Sequence, residues 1–280
     1  MALETRTILL SHLTLNQDEL TFYKRQTGIA DEEKLKERIA EIAQKALDLL
    51  ELGSTRANAL FLDIGCCFGN DLRKAIEDGF PAQNVIASDL RPDFWNFGHE
   101  LFNTNPTTFP VTFIPGNVLS SSFISTQPPL LSHESPPNFI PSVSLQSLLQ
   151  PTPKSLDPLR GHLSAIHTSA FFHLFKKDEQ LLIAKKLASL LSPVPGSIIF
   201  GSHRGAATPQ ERERNSTGTL FYRHSPESWK DMWEKEVFLV PGAGDDDGGG
   251  STGEDLIRVD AGLSLDDKSR EILWWTVTRL

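Results

Sequence analysis

Cysteine is nearly absent from this chain: there are two in 280 residues, and they stand side by side as Cys66 and Cys67. Consecutive cysteines rarely reach the geometry of an ordinary disulfide, and one pair is too few for a metal cage. Two reduced, packed thiols and no metal are expected. Long apolar runs are missing too, since nothing approaches the roughly 18 residues that a membrane span needs. Met1 to Leu10 carries Glu4 and Arg6 where a secretory leader would need an apolar core, so a soluble, cytoplasmic protein is expected. Basic charge is short: 27 Lys and Arg against 36 Asp and Glu leave a net charge of −9. A duplex-binding protein would normally carry a basic face, so nucleic acid is not an expected partner.

What is present is enough apolar residue, 39%, to build a sizeable core. Residues 14–27 and 31–51 read as helices. In the second, Leu35, Ile39, Ile42, Ala46 and Leu49 recur on one face, with Asp31 as N-cap and Gly53 as stop. From residue 59 short apolar runs alternate with helical stretches. Strands are expected at Ala59–Ile64, Val85–Ser88, Val111–Ile114, Leu163–Ser169, Ser197–Gly201, Leu256–Val259 and Leu273–Thr278. Helices are expected at Asp71–Asp78, Pro92–Phe102 and Asp178–Leu191, and another opens at Ser225-Pro226. This alternation predicts an α/β, Rossmann-like seven-stranded sheet, mostly parallel, with helices on both faces; the N-terminal helices have no place in that sheet. Two stretches break the rhythm. Residues 120–160 hold ten Ser and eight Pro, a composition expected to bury little and to form a long, partly disordered insertion, a dispensable loop or a lid. Residues 241–253 read as a flexible acidic loop whose Asp245, Asp246 and Asp247 lack the ligand spacing of a calcium site.

The informative segment is Phe61 to Asp71, FLDIGCCFGND, where a buried strand runs through a glycine-bearing turn straight into a helix. In a parallel sheet, ligands lie at the carboxyl ends of strands. A G-x-G-x-x-G fingerprint would need glycine at 65, 67 and 70, but the chain has Gly65, Cys67 and Asn70; no Gly-Lys-Ser/Thr closes a P-loop. A dinucleotide is therefore disfavoured. The segment resembles the first motif of the class I S-adenosylmethionine-dependent methyltransferases, Asp/Glu-x-Gly-x-Gly-x-Gly, with Asp63, Gly65 and Gly69 in place. Cys67 replaces the middle glycine, which suits a position with negative φ. The next strand ends in Ser88-Asp89-Leu90, where the family hydrogen-bonds the ribose hydroxyls. The third ends in Asn117-Val118-Leu119, where the family contacts the adenine amino group. The resemblance then implies residues 54–280 as the methyltransferase domain, an N-terminal helical cap over 1–53 as in many relatives, and S-adenosyl-L-methionine as the cofactor.

FLDIGCCFGNDLRKAIEDG, NVIASDLRPDFWNFGHELF, AFFHLF and HSPESWKDMW are also similar to a group of fungal secondary-metabolite methyltransferases of the meroterpenoid type. That resemblance implies a small-molecule substrate and, in the meroterpenoid members, methylation of a carboxyl group. A homodimer is the candidate assembly. His167, His173 and Arg204 are the catalytic candidates: the histidines as bases for a phenol or alcohol, Arg204 as a clamp on a substrate carboxylate. His167 and His173 could equally be structural, and Arg204 a surface ion pair. Phe94, Trp95 and Phe97 are either pocket or core. Trp274 and Trp275 should point to opposite faces of a strand, and Trp229 and Trp233 to one face of a helix. The alternatives to a small-molecule enzyme are a protein methyltransferase and a non-catalytic cofactor-binding or scaffold protein of the same fold.

Overall fold

The computed structural model describes residues 31–34, 59–130, 144–149, 153–214, 218–239, 253–266 and 269–280. Its elements are β1 (Phe61–Ile64), α1 (Asn70–Glu77), β2 (Val85–Ser88), α2 (Pro92–Leu101), β3 (Thr112–Phe113), α3 (Leu145–Leu148) and β4 (Ala165–His167). There follow α4 (Lys177–Leu190), β5 (Ile198–Arg204), β6 (Gln210–Arg214), β7 (Thr219–Arg223), α5 (Pro226–Asp231), β8 (Ile257–Leu265) and β9 (Glu271–Arg279). Seven strands form one sheet in the order β3-β2-β1-β4-β5-β9-β8. The first five run parallel, and β9 is antiparallel to both its neighbours. The order grows outward from β1 to β3 and then reverses to β4, so the crevice beyond the ends of β1 and β4 is the switch point where such sheets bind ligands.

Period-two alternation puts the core on both faces. From β1, Phe61 packs with Leu72, Val85 and Trp95 on one side, while Leu60 and Leu62 pack with Ile86, Ile166 and Leu187 on the other. This is why the parallel strands read as unbroken apolar runs. The sheet's edges differ. β3 is two residues long, whereas β8 spans nine and turns Arg258 and Asp260 outward, bonded to each other at 3.1 Å.

Most expected elements appear with ends shifted by a residue or two, and Val85–Ser88 coincides. Ser225 caps α5, its hydroxyl accepting the Ser228 N–H at 3.2 Å, with Pro226 in the first turn. Four findings depart from expectation. β5 runs on to Arg204, and β8 to Leu265 instead of ending at Val259, because β9 pairs with both along their whole length. β6 and β7, a separate antiparallel hairpin, were not anticipated. In the Ser/Pro-rich stretch the described residues bury more than expected: Phe123, Ile124, Leu145, Leu149, Leu156 and Leu159 are core residues. Cys67 is exposed, and only Cys66 is packed. The helical cap over 1–53 lies outside the described residues except 31–34, where Asp31 accepts the Lys34 N–H at 2.9 Å ahead of a helical turn. The acidic loop likewise lies outside them up to residue 252.

Candidate functional site

Three strand ends meet at the switch point, and one residue ties them together. Asp89, just past β2, accepts the Cys67 N–H on Oδ2 at 2.9 Å and the Arg91 N–H on Oδ1 at 2.8 Å. Its backbone carbonyl accepts the Gly116 N–H from the loop after β3, at 3.0 Å. Beneath it the Ser88 carbonyl takes both the Gly65 and Cys66 N–H groups. The glycine turn after β1 and the loop after β3 are thus both fastened to the end of β2.

Gly65 has φ +74, and a Cβ there would come within 2.6 Å of the Phe171 ring. Here glycine is required by both conformation and space. Cys67 corrects the expectation: its φ is +51, so a side chain occupies the left-handed region where the related motif carries glycine, at a cost of about 1–3 kcal/mol. Gly69, also at positive φ, starts α1 against Trp95.

The meeting point is a pocket of about 280 Å³. Of the residues expected to bind a cofactor, Gly65, Asp89, Leu90, Asn117 and Val118 line it. Asn117 already accepts the Leu119 N–H on Oδ1 at 3.0 Å, which shapes the loop and leaves that oxygen a second lone pair. Leu119 contributes that amide and packs against the core instead of lining the pocket. Sequence reasoning missed the apolar wall made by Phe171, Leu174 and Phe175. The aromatic run was visible, but attention went to its histidine. Phe94 joins the wall, whereas Trp95 is core and Phe97 is exposed.

Asp63 and His167 are register partners on β1 and β4. They bond Oδ1 to Nδ1 at 2.9 Å, almost fully buried, behind the lining rather than in it. His167 Nε2 meets the Ser169 hydroxyl at 2.9 Å, so both ring nitrogens are engaged. Burial raises the Asp63 carboxyl. Burial alone would lower His167, but the charge and hydrogen bond of Asp63 outweigh it and the imidazole is raised. Asp63 Oδ2 is buried and accepts no hydrogen bond among the described residues. His173 sits on the turn that carries Phe171 and Leu174, yet its ring stacks on His203 at 6.4 Å, away from the pocket lining. Arg204 ends β5 beside the β6–β7 hairpin. Burial, then the charges of Arg204 and Arg212, lower the Arg223 guanidinium. These arginines are not among the pocket's lining residues.

No protein-family model matches the chain. Curated proteins do. The methyltransferase adrK of Penicillium rubens is 33% identical over 177 residues, covering 62% of this chain and 52% of that protein. The O-methyltransferase phiE of a fungal species is 30% identical over 175 residues, 62% and 48% of the two chains. This chain is similar to fungal methyltransferases. The Asnovolin E/Chermesin D methyltransferase nvfJ of Aspergillus novofumigatus matches at 30% over 175 residues, 62% of this chain and 52% of that one. The chain spans about half the length of the curated relatives it matches. Among solved structures, the 1,6-didemethyltoxoflavin-N1-methyltransferase of Burkholderia thailandensis superposes with a TM-score of 0.48 at 12% identity, over 95% of this chain and 92% of that one. A likeness at that level fixes no function.

Proposed function

We propose that this chain is an S-adenosylmethionine-dependent methyltransferase that methylates an oxygen of a small natural product in fungal secondary metabolism, with a carboxylate as the acceptor. The observation that carries the reading is Asp89 at the hub of three strand ends. Each of its carboxylate oxygens accepts one backbone N–H and keeps lone-pair capacity for a vicinal diol such as a ribose. The other groups fit the same ligand. Asn117 Oδ1 has room for an exocyclic amino group, and Gly65 keeps a side chain out of the floor. The cofactor would supply an activated methyl on a sulfonium sulfur. The chain's own task is then to align the acceptor oxygen with that methyl and keep water out, for which Phe171, Leu174 and Phe175 provide the apolar wall.

What lines the pocket supports a carboxylate as the acceptor. Among the described lining residues the ionisable ones are Asp89 and Arg91, and neither histidine candidate is there. A phenol or alcohol would need a base with a pKa near 7, whereas a carboxylate is already ionised at pH 7. The names of two relatives support the wider reading, one as an O-methyltransferase and one as a methyltransferase of asnovolin E and chermesin D.

Calorimetric titration with S-adenosylmethionine and S-adenosylhomocysteine tests it. Micromolar binding is expected in the unaltered protein and none in Asp89→Ala. No binding by folded protein would sink the reading. A carboxylic-acid panel should yield methyl esters at a rate that is flat above about pH 5. Binding without turnover on acids and phenols alike would leave a non-catalytic cofactor-binding protein.

A further inference from the structure

Lysine is among the residues least often buried without a charged partner, and Lys186 on α4 is 1% exposed. Its ammonium donates three hydrogen bonds, to the backbone carbonyls of Val118 at 2.9 Å, Leu119 at 2.9 Å and Ser120 at 3.1 Å. An ammonium has three donor protons, so all of them go to three consecutive carbonyls of one loop. That loop is the one following β3. Its amides close on Asn117: Leu119 N–H donates to the Asn117 side chain and Ser120 N–H to the Asn117 carbonyl. The loop therefore has its N–H groups tied to Asn117 and its carbonyls tied to Lys186. Gly116, Asn117 and Val118 line the pocket; Lys186 does not.

We propose that Lys186 is a positioning residue for the base of the cofactor: by holding the 118–120 carbonyls it fixes the orientation in which Asn117 meets the adenine amino group. The inference rests on the cofactor reading above. It explains why a lysine stands at a buried position of α4, on the same face as the buried Ile183 and Leu190 three and four residues away. An apolar residue there would leave three carbonyls to find other donors. A released loop would still close a pocket, but it would no longer discriminate among bases.

Two measurements test this on the full chain. The first is hydrogen exchange of amides 116–123 without ligand, in the unaltered protein, in Lys186→Met and in the neighbouring control Lys185→Met. Exchange about tenfold or more faster is expected in Lys186→Met alone, as charged hydrogen bonds of this kind are lost. The second is the ratio of affinities for S-adenosylhomocysteine and S-inosylhomocysteine, whose base carries a carbonyl instead of the amino group. The unaltered protein should prefer the adenosyl compound about tenfold or more, and Lys186→Met should bring the ratio close to one. Faster exchange with an unchanged ratio would make Lys186 a folding residue and overturn the proposal; so would unchanged exchange. If the unaltered protein binds neither compound, the cofactor reading has failed, and exchange still decides whether Lys186 holds the loop. Should Lys186→Met not fold, Lys186→Gln, which keeps amide donors, is read in the same two ways, with partial loosening and a reduced ratio expected.

Discussion

Two buried histidines on adjacent strands live in opposite chemistries. His167 ends β4 against a carboxylate, and Asp63 raises its imidazole despite the burial. His203, on β5, accepts the Trp275 indole N–H at 3.1 Å and lies among Phe172, Trp229 and Trp275. Burial, then the fields of His173 and His224, push His203 well below its ordinary range. The two side chains are about equally hidden from water, so burial does not decide which way each imidazole shifts; the partner does. The two ends of the sheet divide along the same line. Around the ends of β1, β2 and β4 polar side chains bond to one another and to backbone amides, while around β5 and β9 aromatic rings fill space.

The largest test of that division is Trp229→Ala. This ring touches Phe172, His203, Trp233 and Trp275, and its loss should cost about 3–5 kcal/mol of stability by urea denaturation. A loss under about 1 kcal/mol would mean the aromatic half is loosely packed. In the polar half, His167→Leu leaves Asp63 as an unpaired buried carboxylate and should cost about 3 kcal/mol. The double change Asp63→Leu/His167→Leu should recover most of that, since the penalty belongs to the unpaired charge. An equal loss in both would break the contrast.

Smaller effects come from pH. His167 is raised in the fold, so its contribution is complete below about pH 6.5 and is lost as pH climbs through its folded value. His203 is lowered, so its contribution is present above about pH 6.5 and fades as pH falls toward its folded value, because the unfolded chain takes the proton first. His224, driven down to about 4 by burial and by Lys177, acts in the same sense as His203. Stability-against-pH curves should therefore flatten on the alkaline side in His167→Leu and on the acid side in His203→Phe. The same limb changing in both would refute the assignment. The smallest effect is Cys67→Gly, which should gain about 1 kcal/mol by relieving the left-handed φ, or roughly 2–4 °C in Tm. A lower Tm would mean that the thiol makes a contact worth more than the strain.

The sheet was largely legible in the sequence because parallel strands buried on both faces read as apolar runs between helical periods, as Val85–Ser88 did. The β6–β7 hairpin was not. Gln210–Arg214 alternates acid with base and has no apolar side to betray a strand. The packed part of the Ser/Pro-rich stretch was hidden for another reason: Leu145 and Leu149 offer only a single helical turn of period, Phe123 and Leu156 offer none, and tertiary contacts reveal what they pack against. In the site, Gly65 was legible because a glycine turn between a buried strand and a helix marks a strand end, and Asp89 and Asn117 because the resemblance to the methyltransferase motifs points to the next two strand ends. Lys186 was not, since a lysine in an amphipathic helix reads as solvent-facing, and only the β3 loop lying over it shows otherwise.

The unequal edges of the sheet carry a consequence for life at high concentration. An exposed strand edge is a template on which a stray chain can add itself, and a long flat edge is the more dangerous. At one end β3 offers two residues, too few to grip a newcomer. At the other, the nine residues of β8 would be inviting, but Arg258 and Asp260 set a charged pair on its outward face. Any strand docking there would have to strip water from both charges. Among the described residues, the sheet therefore meets an incoming strand with brevity at one border and with charge at the other.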